Sequence, residues 1–181
     1  SDPKLSTEDA VRSAIGQGNN NFTTVQLARY VTTVANSGTC FNLTLIDKIT
    51  DKNGSLLEDR SAEIRNRIEM DQSYWDVIHT GMRGVVENMS YYGDVNVNVA
   101  GKTGTAEQSE RHPNHALFVS YAPYENPEIS VTVRIVNGYS SSYAAQTAKD
   151  FYVYYYKLDE EENILTGQAA QSIGNTAIQS D

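Results

Sequence analysis

The sequence predicts an α+β fold in which an antiparallel sheet packs against amphipathic helices. Three observations lead there. Apolar residues recur at helical spacing in the stretches 24–35, 71–89 and 144–155. A period of two takes over from Val95. The strand-like runs "HALFVSYAPY" and "EISVTVRIV" are joined by a proline-bounded link far too short for a parallel crossover, which needs about a dozen residues or more.

Element by element, Ser6-x-x-Asp9 is a cap-like pattern opening a short helix with Val11, Ala14 and Ile15, which Gly16 ends. Gly16 to Asn21 reads as a loop. Leu27, Ala28, Val31, Val34 and Ala35 form the stripe of a helix from Thr24 that Asn36-Ser37-Gly38 stops. "FNLTLIDKITDKNGSLLED" holds two apolar runs around Asn53-Gly54, a pair that tolerates positive φ, and predicts a β-hairpin. From Asp71 onward, Trp75, Ile78, Met82, Val85, Val86 and Met89 make one stripe of a second long helix despite Gly81 and Gly84. Val95, Val97 and Val99 alternate with Asn96 and Asn98 and run into Lys102–Thr105, which therefore continues a strand. Two further strands complete a meander. After Asn137-Gly138 a serine-rich cap leads into a helix with Ala144, Ala145, Ala148, Phe151, Tyr152 and Tyr155 on the face that crosses the sheet. Residues 1–157 thus form one domain, and 158–181 read as an acidic, polar tail with little to bury.

Composition narrows the function. A chain of 181 residues is long enough to bury a core without a disulfide or metal staple. Its lone Cys40 reads as a small buried hydrophobe. The net charge of -9, with basic residues scattered, repels phosphate backbones, so no nucleic-acid partner is expected. No apolar run reaches the roughly 20 residues of a membrane span, and "SDPKLSTEDA" lacks the features of a signal peptide. The chain as given reads as soluble, with the start of a piece cut from a longer, anchored protein.

The stretch "NVAGKTGTAEQ" carries the chemistry. Gly101-Lys102-Thr103 ends like a phosphate loop, but the first glycine of that motif falls on Asn96, and no helix is expected to follow. As an edge strand the same residues make a peptide-end reader. A substrate adds as a further strand, Lys102 offers a charge to a terminal carboxylate, and Thr103 offers a hydroxyl from the other side of the pleat. Gly104 clears the way for the substrate backbone. The Thr105 N–H is aimed at a developing oxyanion, a donor whose removal costs roughly 2.7 to 4 kcal/mol. On the tripeptide alone, a strand end with a solvated lysine accounts for the pattern as well.

The neighbouring stretches bear on that choice. "AIGQGNNNFTTVQLARYVTTVANSGT", "VAGKTGTAEQ", "HALFVSYAPYENPEISVTVRIVNG" and a terminal amphipathic helix occur in the order found in class B penicillin-binding proteins. Over roughly residues 8 to 157 the chain resembles the C-terminal half of their transpeptidase domain. The resemblance implies part of the β-lactamase-like fold and a serine acyltransferase that cross-links peptidoglycan stem peptides through their D-alanyl-D-alanine ends and is inhibited by β-lactams. It implies Lys102 and Thr103 as the carboxylate-binding pair, Gly104 as the cleared edge and Thr105 as the oxyanion-hole donor, with no cofactor. The parent would be anchored on the extracytoplasmic face of the bacterial membrane, among cell-wall synthesis partners. Lys-Thr-Gly is the third of the family's motifs. The first, Ser-x-x-Lys, occurs only as Ser1-Asp2-Pro3-Lys4, where proline opposes the helical turn it needs. The second, Ser-x-Asn, is absent, and Tyr124-Glu125-Asn126 matches a variant only by chance. Without a nucleophile this polypeptide alone is expected to be inactive. A β-lactam-sensing receptor domain of the same fold is the alternative reading. A sheet short of its neighbouring strands is expected to self-associate through its edge.

Other candidates are weaker. His112-Pro113-Asn114-His115 lacks a third metal ligand nearby. Among Tyr152, Tyr154, Tyr155 and Tyr156, the first and third fall on the apolar helical face and are expected in the core rather than on a sugar platform. Asn-x-Ser/Thr sequons at Asn21, Asn42, Asn53 and Asn88 are expected by chance.

Overall fold

A computed structural model of the chain describes residues 6–14, 16, 21–106 and 112–159. Ser1–Lys4, Ile15, positions 17–20 of the first loop and the tail from 160 onward lie outside the described residues. Capping decides where the helices begin. Helix α1 (Thr7–Ala14) opens on reciprocal bonds between Ser6 and Asp9. Helix α2 (Thr24–Ala35) opens on a capping box between Thr23 and Gln26. Helix α3 (Gln72–Glu87) is capped by the Asp71 carboxylate, and α4 (Ser141–Tyr155) by the Ser140 hydroxyl.

Between α2 and α3 run four short strands, β1 (Thr39–Phe41), β2 (Lys48–Thr50), β3 (Leu56–Asp59) and β4 (Ile64–Arg67). The expected hairpin is β2–β3. Its turn differs from the expectation, because Gly54 alone takes a positive φ while the Asp51 carboxylate accepts from the Asn53 and Ser55 amides. Phe41 belongs instead to β1, which pairs antiparallel with β4. These ladders form an arm whose strands β2, β3 and β4 are exposed throughout.

The main sheet is the expected antiparallel meander, in the order β5 (Ala100–Ala106), β6 (His115–Ala122), β7 (Ile129–Ile135). Helix α4 covers one face, where Ala144, Ala145, Ala148 and Tyr152 pack on Ala116, Phe118 and Ala122. Small side chains let the helix come close to the sheet. Helices α2 and α3 cover the other face, where Val31, Ala35 and Met82 surround Ala100, Val119 and Tyr121. Strand β6 is therefore buried on both sides, and the site strand β5 lies beside it at the edge.

Three expectations need correction. Val95, Val97 and Val99 are not strand, since β5 starts at Ala100; the valines instead pack into the core beneath α4. The backbone of Asn98 gives its carbonyl to the Tyr124 amide at 2.7 Å, so that bond goes to a turn and not to a ladder. On α3, Ile78 is exposed, and His79 takes its place facing α2, with Nε2 2.8 Å from the Val34 carbonyl oxygen. On α4, Tyr152 is buried as expected but Tyr155 is 48% exposed; Tyr156 is the residue stacked on Tyr152. Phe151 also lies outside, stacked on Tyr155.

Candidate functional site

The residues singled out for carboxylate recognition fall on one strand, β5, which pairs only with β6 among the described residues. Register assigns their faces. Ala100 lies opposite Tyr121 and Lys102 opposite Val119, so both belong to the face under α2 and α3. Thr103 lies opposite Phe118 and Thr105 opposite Ala116, on the face under α4. Lys102 and Thr103 thus stand on opposite sides of an edge strand, as the alternation requires. Lys102 is exposed, and its ammonium donates to the Thr103 carbonyl at 2.9 Å. An ammonium has three donors, so others remain for an anion. Lys102 to Thr105 lie wholly within strand, with no helix N-terminus at the lysine of the kind a phosphate loop needs.

The glycines of β5 differ in what requires them. At Gly101 a Cβ would come within 2.8 Å of Phe118 Cε2 and 3.1 Å of Ser120 Cβ, so the ring packs where a side chain would go. At Gly104 the nearest atom to such a Cβ is Leu117 Cβ at 3.4 Å, an ordinary contact. The chain's own packing demands a glycine at 101 and leaves room for a side chain at 104.

A polar group that sequence reasoning missed holds the entry to β5. The half-buried Arg83 of α3 donates to the Val99 carbonyl and to the Asn98 side-chain oxygen, each at 3.0 Å. Asn98 in turn donates to the Glu125 carboxylate in the β6–β7 connection. That bond, and more weakly the Arg83 charge, hold the Glu125 pKa below its ordinary value. In sequence Asn98 is only the polar half of an alternation, and Glu125 the middle of a chance motif; nothing local marks them as partners.

His115 begins β6 and is buried, with Nδ1 accepting the Asn137 amide at 3.0 Å. That nitrogen is already engaged with the backbone, and His112 is not drawn into a metal cluster; among the described residues no group of three or more potential ligands is gathered. Cys40 is half-buried on β1. No helix of the described residues is long and apolar enough to cross a membrane.

The chain belongs to the penicillin-binding protein transpeptidase domain family, which it matches over residues 2–153. It is 31% identical over 137 residues to penicillin-binding protein 2A of Bacillus subtilis, covering 66% of this chain and 19% of that protein. It is 31% identical over 172 residues to the peptidoglycan D,D-transpeptidase MrdA of Haemophilus influenzae, covering 81% of this chain and 26% of the relative. Among solved structures, penicillin-binding protein 2B of Streptococcus pneumoniae R6 superposes with a TM-score of 0.71 at 26% identity, over 87% of this chain and 29% of that one. PBP2 of Pseudomonas aeruginosa, in complex with WCK 5153, gives 0.63 at 33% identity, over 81% and 33%. The chain spans about a fifth to a quarter of the length of these two curated relatives.

Proposed function

We propose that this chain is a portion of a peptidoglycan D,D-transpeptidase and that β5 forms the carboxylate-recognising wall of its acylation site. The Lys102 ammonium and the Thr103 hydroxyl bind the terminal carboxylate of a D-alanyl-D-alanine stem peptide, or the carboxylate of a β-lactam. Gly104 leaves space for the substrate backbone, and the Thr105 N–H donates to the oxyanion as the acyl carbonyl is attacked. The observation that carries this reading is the contrast along β5. An edge strand bears Lys102 and Thr103 on opposite faces and a glycine at 104 that its own neighbours do not require.

Relatives named as peptidoglycan D,D-transpeptidases support the reaction class. A neighbour described as the penicillin G acyl-enzyme of penicillin-binding protein A from M. tuberculosis supports the β-lactam part. The nucleophile is not in this sequence, because Ser-x-x-Lys occurs only at Ser1–Lys4 across a proline and Ser-x-Asn does not occur. The polypeptide supplies one wall, and the parent protein, anchored at the extracytoplasmic face of the membrane, supplies the serine and its base.

The test is a titration of the isotope-labelled chain with an N-acyl-D-alanyl-D-alanine dipeptide, followed by amide NMR. Shifts concentrated at Lys102–Thr105, and weakened roughly ten- to a hundredfold in Lys102→Ala, are expected for loss of a charged hydrogen-bond donor. Shifts elsewhere, or the same affinity in Lys102→Ala, overturn the assignment. With a labelled penicillin, intact-mass spectrometry is expected to show no covalent adduct; stoichiometric acylation overturns the absence of a nucleophile.

A further inference from the structure

We infer that Arg83, acting with Asn98, is a positioning residue that fixes the register of β5, and with it which face of the sheet carries Lys102 and which carries Thr103. The functional weight of that register rests on the reading of β5 as a carboxylate-recognising strand.

Strand β5 is poorly equipped to set its own register. It reads Ala-Gly-Lys-Thr-Gly-Thr-Ala, pairs on one side only among the described residues, and carries no large apolar side chain. Glycine-rich strands specify register weakly, and a slip by one residue exchanges the faces of every side chain. Such a slip puts Lys102 where Thr103 belongs. The contact between Gly101 and Phe118 opposes it, but that is one close approach on a strand of small residues.

The clamp at the strand entry supplies what the ladder lacks. One nitrogen of the Arg83 guanidinium holds the Val99 carbonyl and another the Asn98 side chain, so a planar fork grips two successive residues. Glu87, one turn further along α3, lies 3.4 Å from Arg83 Nε and orients the fork from behind. Asn98 is fixed from a second direction, since its carbonyl accepts the Tyr124 amide at 2.7 Å and its amide group donates to Glu125. The chain therefore enters β5 with two successive residues referenced to α3 and to the β6–β7 connection. Advancing it by one residue would break all these bonds together. A lysine at 83 is a single point donor and serves one carbonyl but not the fork.

The experiment uses the 181-residue chain with Arg83→Met, which keeps an unbranched stem but no donors, together with Arg83→Lys and Tyr152→Phe as a stability control that removes none of the clamp's hydrogen bonds. Amide hydrogen exchange and cross-strand nuclear Overhauser contacts between Lys102 and Val119 are read in each. Arg83→Met is expected to speed exchange of the β5 amides roughly tenfold or more relative to those of β7 and α4, and to weaken the Lys102–Val119 contacts. Arg83→Lys is expected to recover part of that protection, while Tyr152→Phe leaves the β5-to-β7 ratio unchanged. A uniform rise across the sheet, or β5 protection unchanged in Arg83→Met, overturns the inference. If Arg83→Met does not fold, Arg83→Lys decides the matter by the same ratio. Dipeptide binding is measured alongside: failure of the unsubstituted chain to bind removes the carboxylate reading, while exchange still decides the register.

Discussion

Gly101 and Phe118 occupy each other's space across the β5–β6 pair, with the aromatic ring set where a Cβ on residue 101 would lie. Phe118 is fully buried, so the ring cannot move aside without disturbing the core under α4. Gly101→Ala is therefore expected to destabilise the chain by about 1–3 kcal/mol through overpacking. Gly104→Ala meets only Leu117 at ordinary contact distance and is expected to change stability by less than about 1 kcal/mol while weakening dipeptide binding. Urea denaturation of the two variants checks the order; equal losses would show that the two glycines do the same job.

The Tyr152 hydroxyl lies 2.9 Å from Ser120 Oγ, inside the core between α4 and β6. Burial raises the phenol pKa far above its ordinary value, so the group stays neutral throughout the working range. Tyr152→Phe leaves Ser120 with the Val131 carbonyl at 3.3 Å, and the expected cost is about 0.5–1.5 kcal/mol. Tyr152→Ala empties an aromatic site and is expected to cost about 3–5 kcal/mol. A thermal melt in which Phe and Ala lose the same amount would mean that the hydroxyl, and not the ring, supports the helix.

His115 gives stability a pH dependence whose sign follows from its surroundings. Burial, and secondarily the Arg134 charge, hold its pKa below the ordinary 6.5, and its Nδ1 accepts the Asn137 amide and so must be unprotonated. A group of lowered basicity in the folded state binds its proton sooner when unfolded. Its contribution is full above pH 6.5 and is lost as pH falls below that value toward the folded pKa. Chemical denaturation at pH 7.5 and 5.5 is expected to show the loss in the parent, and His115→Gln, whose amide oxygen can still accept, is expected to reduce it. An unchanged pH dependence in His115→Gln would remove His115 as the source.

The outer edges of β5 and β7 have no strand partner among the described residues. Unpaired ladder groups are a template for a second copy. Concentration-dependent dimerisation is expected in light scattering, and a monodisperse monomer at high concentration would count against it.

The parts of this protein that were legible in its sequence are those that short-range physics decides. Caps at Ser6 and Ser140 and the stop after Ala35 depend on backbone groups within a few residues, and the sequence alone determined them. The antiparallel meander followed from the strand-like runs and their connection length, whereas the alternation that pointed to a strand at Lys102–Thr105 lies in valines that precede β5. What crosses the chain was decided only by the tertiary structure. The pairing of β1 with β4 joins segments whose short, mixed sequences carry no signal of each other. His79 displaces Ile78 from the packed stripe because a polar ring can be half-buried at little cost once the Val34 carbonyl of another helix receives its N–H. Tyr156, one turn beyond Tyr152, packs on it where Tyr155 was expected, because the apolar stripe leaves i+3 and i+4 equally open and only the docked helix chooses between them. The same holds for the proposed site: the sequence singled out Lys102, Thr103, Gly104 and Thr105 as candidates, while the fold alone brought Arg83, Asn98 and Glu125 together at the entrance to β5, because hydrogen bonds between distant segments exist only after the helices and the sheet have docked.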